Sequence, residues 1–207
     1  DNGCALNIKE EDLRQKVREK RIGNTFLFAV DASGSMGARE RMRAVKGAIF
    51  YMLQEAYQKR DRVGMIAFRR DKADLLLPIT RSVDLAQKRL AEMPTGGKTP
   101  LADGLALSLQ TLALLNKRDS ELEPILIVVT DGRANAVHEG EKEPVAAAIN
   151  IAEKIAKAKI TSVVIDTESD FIKLGIAKKL AAAMQANYYT LQRLSKENII
   201  HIVRNLH

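Results

Sequence analysis

The sequence is poor in cysteine and aromatic residues, and these absences exclude several classes of protein. Cys4 is the single cysteine among 207 residues, tryptophan is missing, and aromatic residues make up 4% of the chain. A chain with one cysteine has no internal disulfide framework, which favours a reducing compartment and a cytoplasmic location. No N-x-S/T glycosylation sequon occurs, and no apolar run approaches the roughly 20 residues that span a bilayer.

The net charge of +7 does not predict a nucleic-acid-binding protein. Basic residues are mixed with acidic ones, as in the opening segment E-E-D-L-R-Q-K-V-R-E-K-R, and aromatic stacking platforms are missing. We therefore expect a solvated surface or a face that meets an acidic protein partner. The chain begins with Asp1 instead of methionine, which favours a processed chain or a fragment of a larger protein.

Apolar periodicity divides the chain into a charged helical arm or linker end at residues 1–21 and one domain at residues 22–207. The pattern alternates between strands and helices, which predicts an α/β fold with a mostly parallel sheet covered on both faces. The predicted strands are 25–30, 62–69, 73–79, 125–130, 161–166 and 187–190. The predicted helices are about 42–58, 83–93, one from Leu101, about 145–157, about 174–184, and a last one from Ser195.

The short link Arg70-Asp71-Lys72 sets the direction of the third strand. So short a connection suits a hairpin and cannot hold a parallel crossover. The third strand is therefore predicted to be antiparallel and to lie at an edge of the sheet.

Oxygen-bearing side chains follow the first and fourth predicted strands. Asp31, Ser33 and Ser35 lie in D-A-S-G-S, and Asp131 follows the fourth strand in T-D-G. Ligands of open parallel sheets bind outside the carboxyl ends of strands where the strand order reverses, and Thr99 in G-G-K-T-P could reach the same crevice. Two carboxylates and three hydroxyls form an all-oxygen set suited to Mg²⁺.

Each part of this set also has a simpler interpretation. Thr99-Pro100 is a good helix start, with threonine as N-cap and proline at the first helical position. Asp103 would complement the dipole of the same helix. Asp131-Gly132 could be an ordinary turn, and Ser33 or Ser35 could cap the helix that follows.

Other chemistry fits the residues poorly. G-G-K-T resembles the end of a phosphate-binding loop, but Glu92 occupies the position of the first glycine, so ATP binding is not expected. An aspartyl phosphotransferase would need an acid where Ser33 stands. The remaining candidates, His138, His201, His207 and Cys4, show neither metal-ligand spacing nor a catalytic partner.

D-A-S-G-S-M, T-G-G-K-T-P-L-A-D-G-L and V-V-T-D-G-R-A-N together resemble a von Willebrand factor A (integrin I-like) domain. The resemblance implies a three-layer Rossmann-like fold with strand order 3-2-1-4-5-6 and an antiparallel edge strand 3. It also implies a metal-ion-dependent adhesion site, with Mg²⁺ held by Asp31, Ser33, Ser35, Thr99 and Asp131, and Mn²⁺ or Ca²⁺ as substitutes. Asp103 departs from the family pattern, where a small residue is commoner.

Within that superfamily, D-L-R-Q-K-V-R-E-K-R, R-D-R-V-G-M-I-A-F-R and L-L-L-P-I-T-R-S-V-D-L-A resemble the C-terminal domain of magnesium-chelatase D subunits and related cobalt or magnesium chelatases. These assemblies insert a metal ion into a tetrapyrrole, a reaction that forms nitrogen–metal bonds. The implied partners are an AAA+ motor subunit and a porphyrin-binding subunit.

The resemblance implies a non-catalytic docking domain in which an acidic side chain of a partner completes the metal shell. Arg39, Arg41, Arg43 and Arg133 are candidate contacts at the rim, or otherwise part of a solvated helix face. One alternative is an adhesion or ligand-binding domain unrelated to chelatases. Another is a metal-dependent hydrolase, although no base is paired with a nucleophile.

Overall fold

The computed structural model describes residues 23–34, 39–119, 121–136, 143–168 and 174–191. The predicted arm at residues 1–21 and the predicted last helix from Ser195 lie outside the described residues, as do Ser35, His138, His201, His207 and Cys4.

The described residues contain six strands and five helices in the predicted order. The strands are β1 (Thr25–Asp31), β2 (Arg62–Arg69), β3 (Lys72–Thr80), β4 (Pro124–Thr130), β5 (Thr161–Asp166) and β6 (Asn187–Thr190). The helices are α1 (Arg39–Lys59), α2 (Val83–Glu92), α3 (Leu101–Arg118), α4 (Pro144–Lys157) and α5 (Ile176–Met184).

The strands form one sheet in the order β3-β2-β1-β4-β5-β6. All neighbours are parallel except β2 and β3, which form the predicted antiparallel hairpin at the edge. The fold class, the strand order and the direction of the third strand are therefore confirmed.

The two faces of β1 explain why that strand is apolar without alternation. Phe26, Phe28 and Val30 pack on one face, where α1 and α2 supply the covering side chains. Leu27 and Ala29 pack on the opposite face, beneath α3, α4 and α5. Because both faces of the strand are buried, the positions from Phe26 to Val30 are all apolar. Within the described part of the chain, none of the helices combines the length and hydropathy needed to cross a bilayer.

Helix α3 begins at Leu101 as predicted, but Pro100 is its N-cap instead of its first helical residue, and no side chain of the described residues caps it. Helix α1 begins at Arg39, earlier than predicted, and helix α5 begins later than predicted. Helix α5 begins at Ile176 because Gly175, with φ of 65°, has a left-handed backbone that a continuing helix cannot contain.

Candidate metal centre

The candidate centre lies where the strand order reverses. From β1 the chain continues to β2 and β3 on one side, whereas β4, β5 and β6 extend the sheet on the other. Asp31 ends β1, and Asp131 directly follows the neighbouring strand β4. Since parallel strands end at the same edge of a sheet, the two carboxylates are brought to one crevice, as the spacing predicted.

Backbone hydrogen bonds join the loop after β1 to the loop before α3. The amide of Gly34 donates to the carbonyl oxygen of Gly97 at 2.8 Å, and the amide of Gly96 donates to the carbonyl oxygen of Ala32 at 2.8 Å. This reciprocal pair holds the two loops in register beside the crevice.

A second pair of hydrogen bonds joins the loop before α3 to the loop after β4. The amide of Thr99 donates to Oδ1 of Asn135 at 2.6 Å, and the amide of Asn135 donates to the carbonyl oxygen of Thr99 at 3.3 Å. The three loops that the sequence expected to converge are therefore physically connected.

The Asp31 carboxylate is fully buried and accepts hydrogen bonds from Ser33 and Thr130. The amide of Ser33 donates to its Oδ1 at 2.9 Å, and the hydroxyl of Thr130 donates to its Oδ2 at 3.0 Å. The Thr130 hydroxyl in turn accepts from the amide of Gly132 at 3.0 Å. Burial, with the negative charge of Asp131 added, raises the pKa of Asp31 from 3.8 to about 7. A nearby cation would offset both effects.

Asp131 is 1% exposed and is held by Arg133. Its Oδ1 accepts from the Arg133 amide at 3.0 Å, whereas its Oδ2 lies 3.7 Å from Nε of the Arg133 guanidinium, beyond hydrogen-bond range. Among the described residues, Oδ2 has no hydrogen-bond donor. One buried oxygen of this carboxylate therefore remains available as a ligand.

Thr99 is buried, and its hydroxyl has no hydrogen-bond partner in the described ranges. The capping interpretation of Thr99 is wrong, because the N-cap of α3 is Pro100 and no side chain in the described part of the chain caps this helix. A buried hydroxyl without a partner costs roughly 1–3 kcal/mol, so such groups are rare unless a ligand satisfies them. Asp103 lies in the first turn of α3, where its charge suits the helix dipole.

The donor set fits Mg²⁺ by its chemistry. Asp31 and Asp131 contribute carboxylates, Ser33 and Thr99 contribute hydroxyls, and Ser33 is fully buried beside Asp31. No group of three or more His, Cys, Asp or Glu side chains within the described residues could hold a metal, so a metal bound here would depend on hydroxyl oxygens. Hard oxygen ligands with few charges are typical of Mg²⁺ centres.

The structure leaves part of the predicted set undescribed. The contribution of Ser35 stays a prediction, and the same holds for the side chains of Arg39 and Arg41. Of the remaining rim candidates, Arg43 is exposed on α1, and Arg133 contacts a predicted ligand.

Two further residues of the site, Thr130 and Asn135, were not singled out from the sequence. Thr130 orients Asp31, and Asn135 positions the backbone of Thr99. The threonine before D-G and the asparagine of R-A-N were the available signals. Each also has a simpler role, as a strand residue and a loop residue respectively.

A family model described as von Willebrand factor type A domain matches residues 26–134, more than half of the chain. An uncharacterised protein of Methanocaldococcus jannaschii is 46% identical over 173 residues, which cover 83% of this chain and 98% of that protein. An uncharacterised protein of Mycobacterium tuberculosis is 42% identical over 197 residues, covering 95% of this chain and 30% of that protein.

The magnesium-chelatase 67 kDa subunit of Chlorobaculum parvum is 37% identical over 206 residues, covering 95% of this chain and 33% of the subunit. This chain thus spans about a third of the length of the subunit and of the mycobacterial protein.

Among solved structures, the conserved hypothetical protein BatB from Bacteroides thetaiotaomicron aligns with a TM-score of 0.67 at 19% identity, covering 88% of this chain and 96% of that one. This likeness supports the fold alone. From the family model and the extent of the sequence matches, the chain belongs to the von Willebrand factor type A domain family and is homologous to magnesium-chelatase subunits.

Proposed function

We propose that this domain is a metal-dependent docking module. Asp31, Ser33, Ser35, Thr99 and Asp131 would hold Mg²⁺, and an Asp or Glu side chain of a partner protein would complete its shell. The proposal is carried by two buried oxygens, Thr99 Oγ1 and Asp131 Oδ2, which have no hydrogen-bond partner among the described residues and lie on loops joined by hydrogen bonds.

The residues that support these ligands each have a role in the proposal. Thr130 and the Ser33 amide fix the orientation of the Asp31 carboxylate, and Arg133 fixes that of Asp131. Asn135 holds Thr99 against the crevice. The bound metal would supply a strong electrostatic contact for an anionic ligand. Mn²⁺ and Ca²⁺ accept the same oxygen ligands and are expected substitutes.

Similarity to chelatase subunits favours a partner within a chelatase. The name of the Chlorobaculum parvum relative describes a magnesium-chelatase subunit, and the matched region is a third of that protein. We propose that the parent protein supports ATP-driven insertion of a metal ion into a tetrapyrrole, with the present domain docking an acidic side chain of the AAA+ motor or the porphyrin-binding subunit. The inserted ion is a substrate of that complex and is distinct from the ion of the docking site.

The test is capture of a purified AAA+ motor subunit and a purified porphyrin-binding subunit of a chelatase from the same organism. Capture should occur with Mg²⁺, should disappear with a chelator, and should disappear for Asp31→Ala. Asp84→Ala, which removes an exposed carboxylate on α2, is the matched control and should behave like the wild type.

Capture that ignores both Mg²⁺ and Asp31→Ala would contradict the docking mechanism. Mg²⁺ binding by the domain without capture of either subunit would instead favour the alternative, a ligand-binding domain unrelated to chelatases.

A further inference from the structure

Arg133 connects the buried candidate centre to the protein surface. Its amide and its Nε both approach the Asp131 carboxylate, at 3.0 Å and 3.7 Å respectively. The Asp131 side chain is 1% exposed, whereas the Arg133 side chain is 34% exposed. The Arg133 side chain therefore reaches from the buried carboxylate to the protein surface.

The candidate site combines two buried carboxylates with the positive charge of Arg133. Asp31 and Asp131 are both buried and repel each other. Within the described part of the chain, Arg133 is the one cation that forms an ion pair at this site, and its partner is Asp131. If both carboxylates are ionised, a divalent metal cancels their charge, and Arg133 leaves the loaded site with one net positive charge.

We infer that Arg133 makes the loaded site selective for anionic ligands at the expense of metal affinity. Before metal binds, the guanidinium partly neutralises Asp131 and so competes with the cation. After metal binds, the charge of Arg133 remains and is available to the carboxylate of a partner. This inference rests on the proposed metal-dependent docking.

The chemistry of arginine supports this double role. A guanidinium that approaches one carboxylate through Nε has four further N–H donors on its two Nη nitrogens. These donors can bind a second carboxylate in a bidentate, charge-assisted manner. A lysine at this position would keep the charge and lose the planar set of donors.

The first experiment measures Mg²⁺ affinity by isothermal titration calorimetry for the wild type, Arg133→Gln and Arg133→Lys. Arg133→Gln should bind Mg²⁺ about fivefold more tightly, because the competing charge is gone. Arg133→Lys should stay within about twofold of the wild type, because its charge is kept.

Arg118→Gln is the matched control for loss of one guanidinium. Arg118 ends α3, whose first residue is near Thr99, so the 18-residue helix separates it from the centre by about 27 Å. Its Mg²⁺ affinity should equal that of the wild type.

The second experiment repeats the titrations with acetate as the carboxylate probe, against chloride at equal ionic strength. By linkage, acetate that binds beside the metal must raise Mg²⁺ affinity by the same factor by which Mg²⁺ raises acetate affinity. This factor should fall about fivefold or more in Arg133→Gln and should be intermediate in Arg133→Lys. Arg118→Gln should keep the wild-type factor.

Opposite changes in metal affinity and acetate coupling support the inference. A fall in both quantities, or values for Arg133→Gln that match Arg118→Gln, would overturn it. A wild type that binds no Mg²⁺ would instead contradict the proposed function itself, so the two failures are distinguishable.

Discussion

At the residue scale, two buried threonines of one site have opposite surroundings. The hydroxyl of Thr130 donates a hydrogen bond to Asp31 and accepts one from Gly132, so it is used both as donor and as acceptor. The hydroxyl of Thr99 has no partner among the described residues. A fully bonded hydroxyl stabilises the fold, whereas a buried hydroxyl without partners destabilises it and suggests a ligand.

Thr99→Val should therefore abolish or strongly weaken Mg²⁺ binding without harming the metal-free fold. Valine has nearly the same shape and removes a buried unsatisfied oxygen, so the free energy of unfolding should be unchanged or higher by up to about 1 kcal/mol. Urea denaturation in the presence of a chelator and Mg²⁺ titration measure the two effects.

Thr130→Val is the contrasting variant, because it leaves Asp31 Oδ2 and the Gly132 amide without their partner. It should lower the free energy of unfolding by about 1–3 kcal/mol, and Thr130→Ser should restore most of the loss. Equal destabilisation by Thr99→Val and Thr130→Val would mean that the Thr99 hydroxyl is a structural group.

The raised pKa of Asp31 predicts the pH dependence of metal binding. With a pKa of about 7 in the metal-free protein, Asp31 is mostly protonated at pH 6 and mostly ionised at pH 8. Since the metal binds the ionised form, Mg²⁺ affinity should be about tenfold lower at pH 6 than at pH 8. Calorimetric titrations at the two pH values measure this difference, and a flat or inverted profile would contradict the prediction.

The raised pKa of Asp31 also makes the stability of the metal-free domain depend on pH. Asp31 holds its proton more tightly in the folded state than in the unfolded state, whose pKa is near 3.8. Its contribution to the free energy of unfolding should therefore decrease as the pH rises from about 4 to about 7. Asp31→Asn should remove that component of the slope.

At the element scale, the loop after β4 packs closely against the start of α5. Gly132 has a φ of 76°, and a Cβ built on it would lie 2.5 Å from the amide nitrogen of Ala177 and 3.0 Å from Cβ of Ile176. The loop can pass this helix only with glycine at that position, because a side chain would meet backbone that cannot move aside.

Gly132→Ala should lower the free energy of unfolding by about 3 kcal/mol or more, since backbone strain and overpacking add. Gly175→Ala separates the two causes. Gly175 has a φ of 65°, but a Cβ added there would meet nothing within 4 Å, so only strain of about 1–2 kcal/mol is expected. Chemical denaturation of both variants measures the difference, and similar losses would show that contact with α5 is unimportant.

The elements were predictable where local pattern alone determines them. Strands β2, β5 and β6 have the predicted bounds, because apolar runs bounded by turn residues contain the necessary information. The start of α3 at Leu101 was predictable, but the role of the residue pair before it was not. Thr99-Pro100 has strong local cap chemistry, but the hydrogen bonds of the Thr99 backbone with Asn135 position that residue for the crevice.

The candidate ligands could be found from spacing and resemblance, but their supporting residues could not. The hydrogen bond between Thr130 and Asp31 joins residues 99 positions apart, and that between Asn135 and Thr99 joins residues 36 apart. Such partners depend on the register of β1 against β4 and on loop paths, which no local period encodes.

At the scale of the whole molecule, the candidate centre exists only when the sheet is assembled. Asp31 and Asp131 are neighbours because β1 pairs with β4, and Thr99 joins them through loop hydrogen bonds. The unfolded chain would separate these ligands by up to 100 residues of sequence. A metal ion held by this set must therefore bind the folded state in strong preference to the unfolded state.

Mg²⁺ should consequently stabilise the entire domain. At a concentration 100-fold above its dissociation constant, one site contributes about 2.7 kcal/mol, which corresponds to an increase in Tm of about 5–10 °C for a domain of this size. Thermal unfolding followed by circular dichroism, with NaCl at equal ionic strength as the reference, measures the shift.

Asp31→Ala and Asp131→Ala should each remove the increase in Tm caused by Mg²⁺, whereas Asp84→Ala should retain it. A Tm that rises equally in the Asp31→Ala protein would mean that Mg²⁺ acts elsewhere on the surface, because without that carboxylate the three loops no longer present a complete set of ligands.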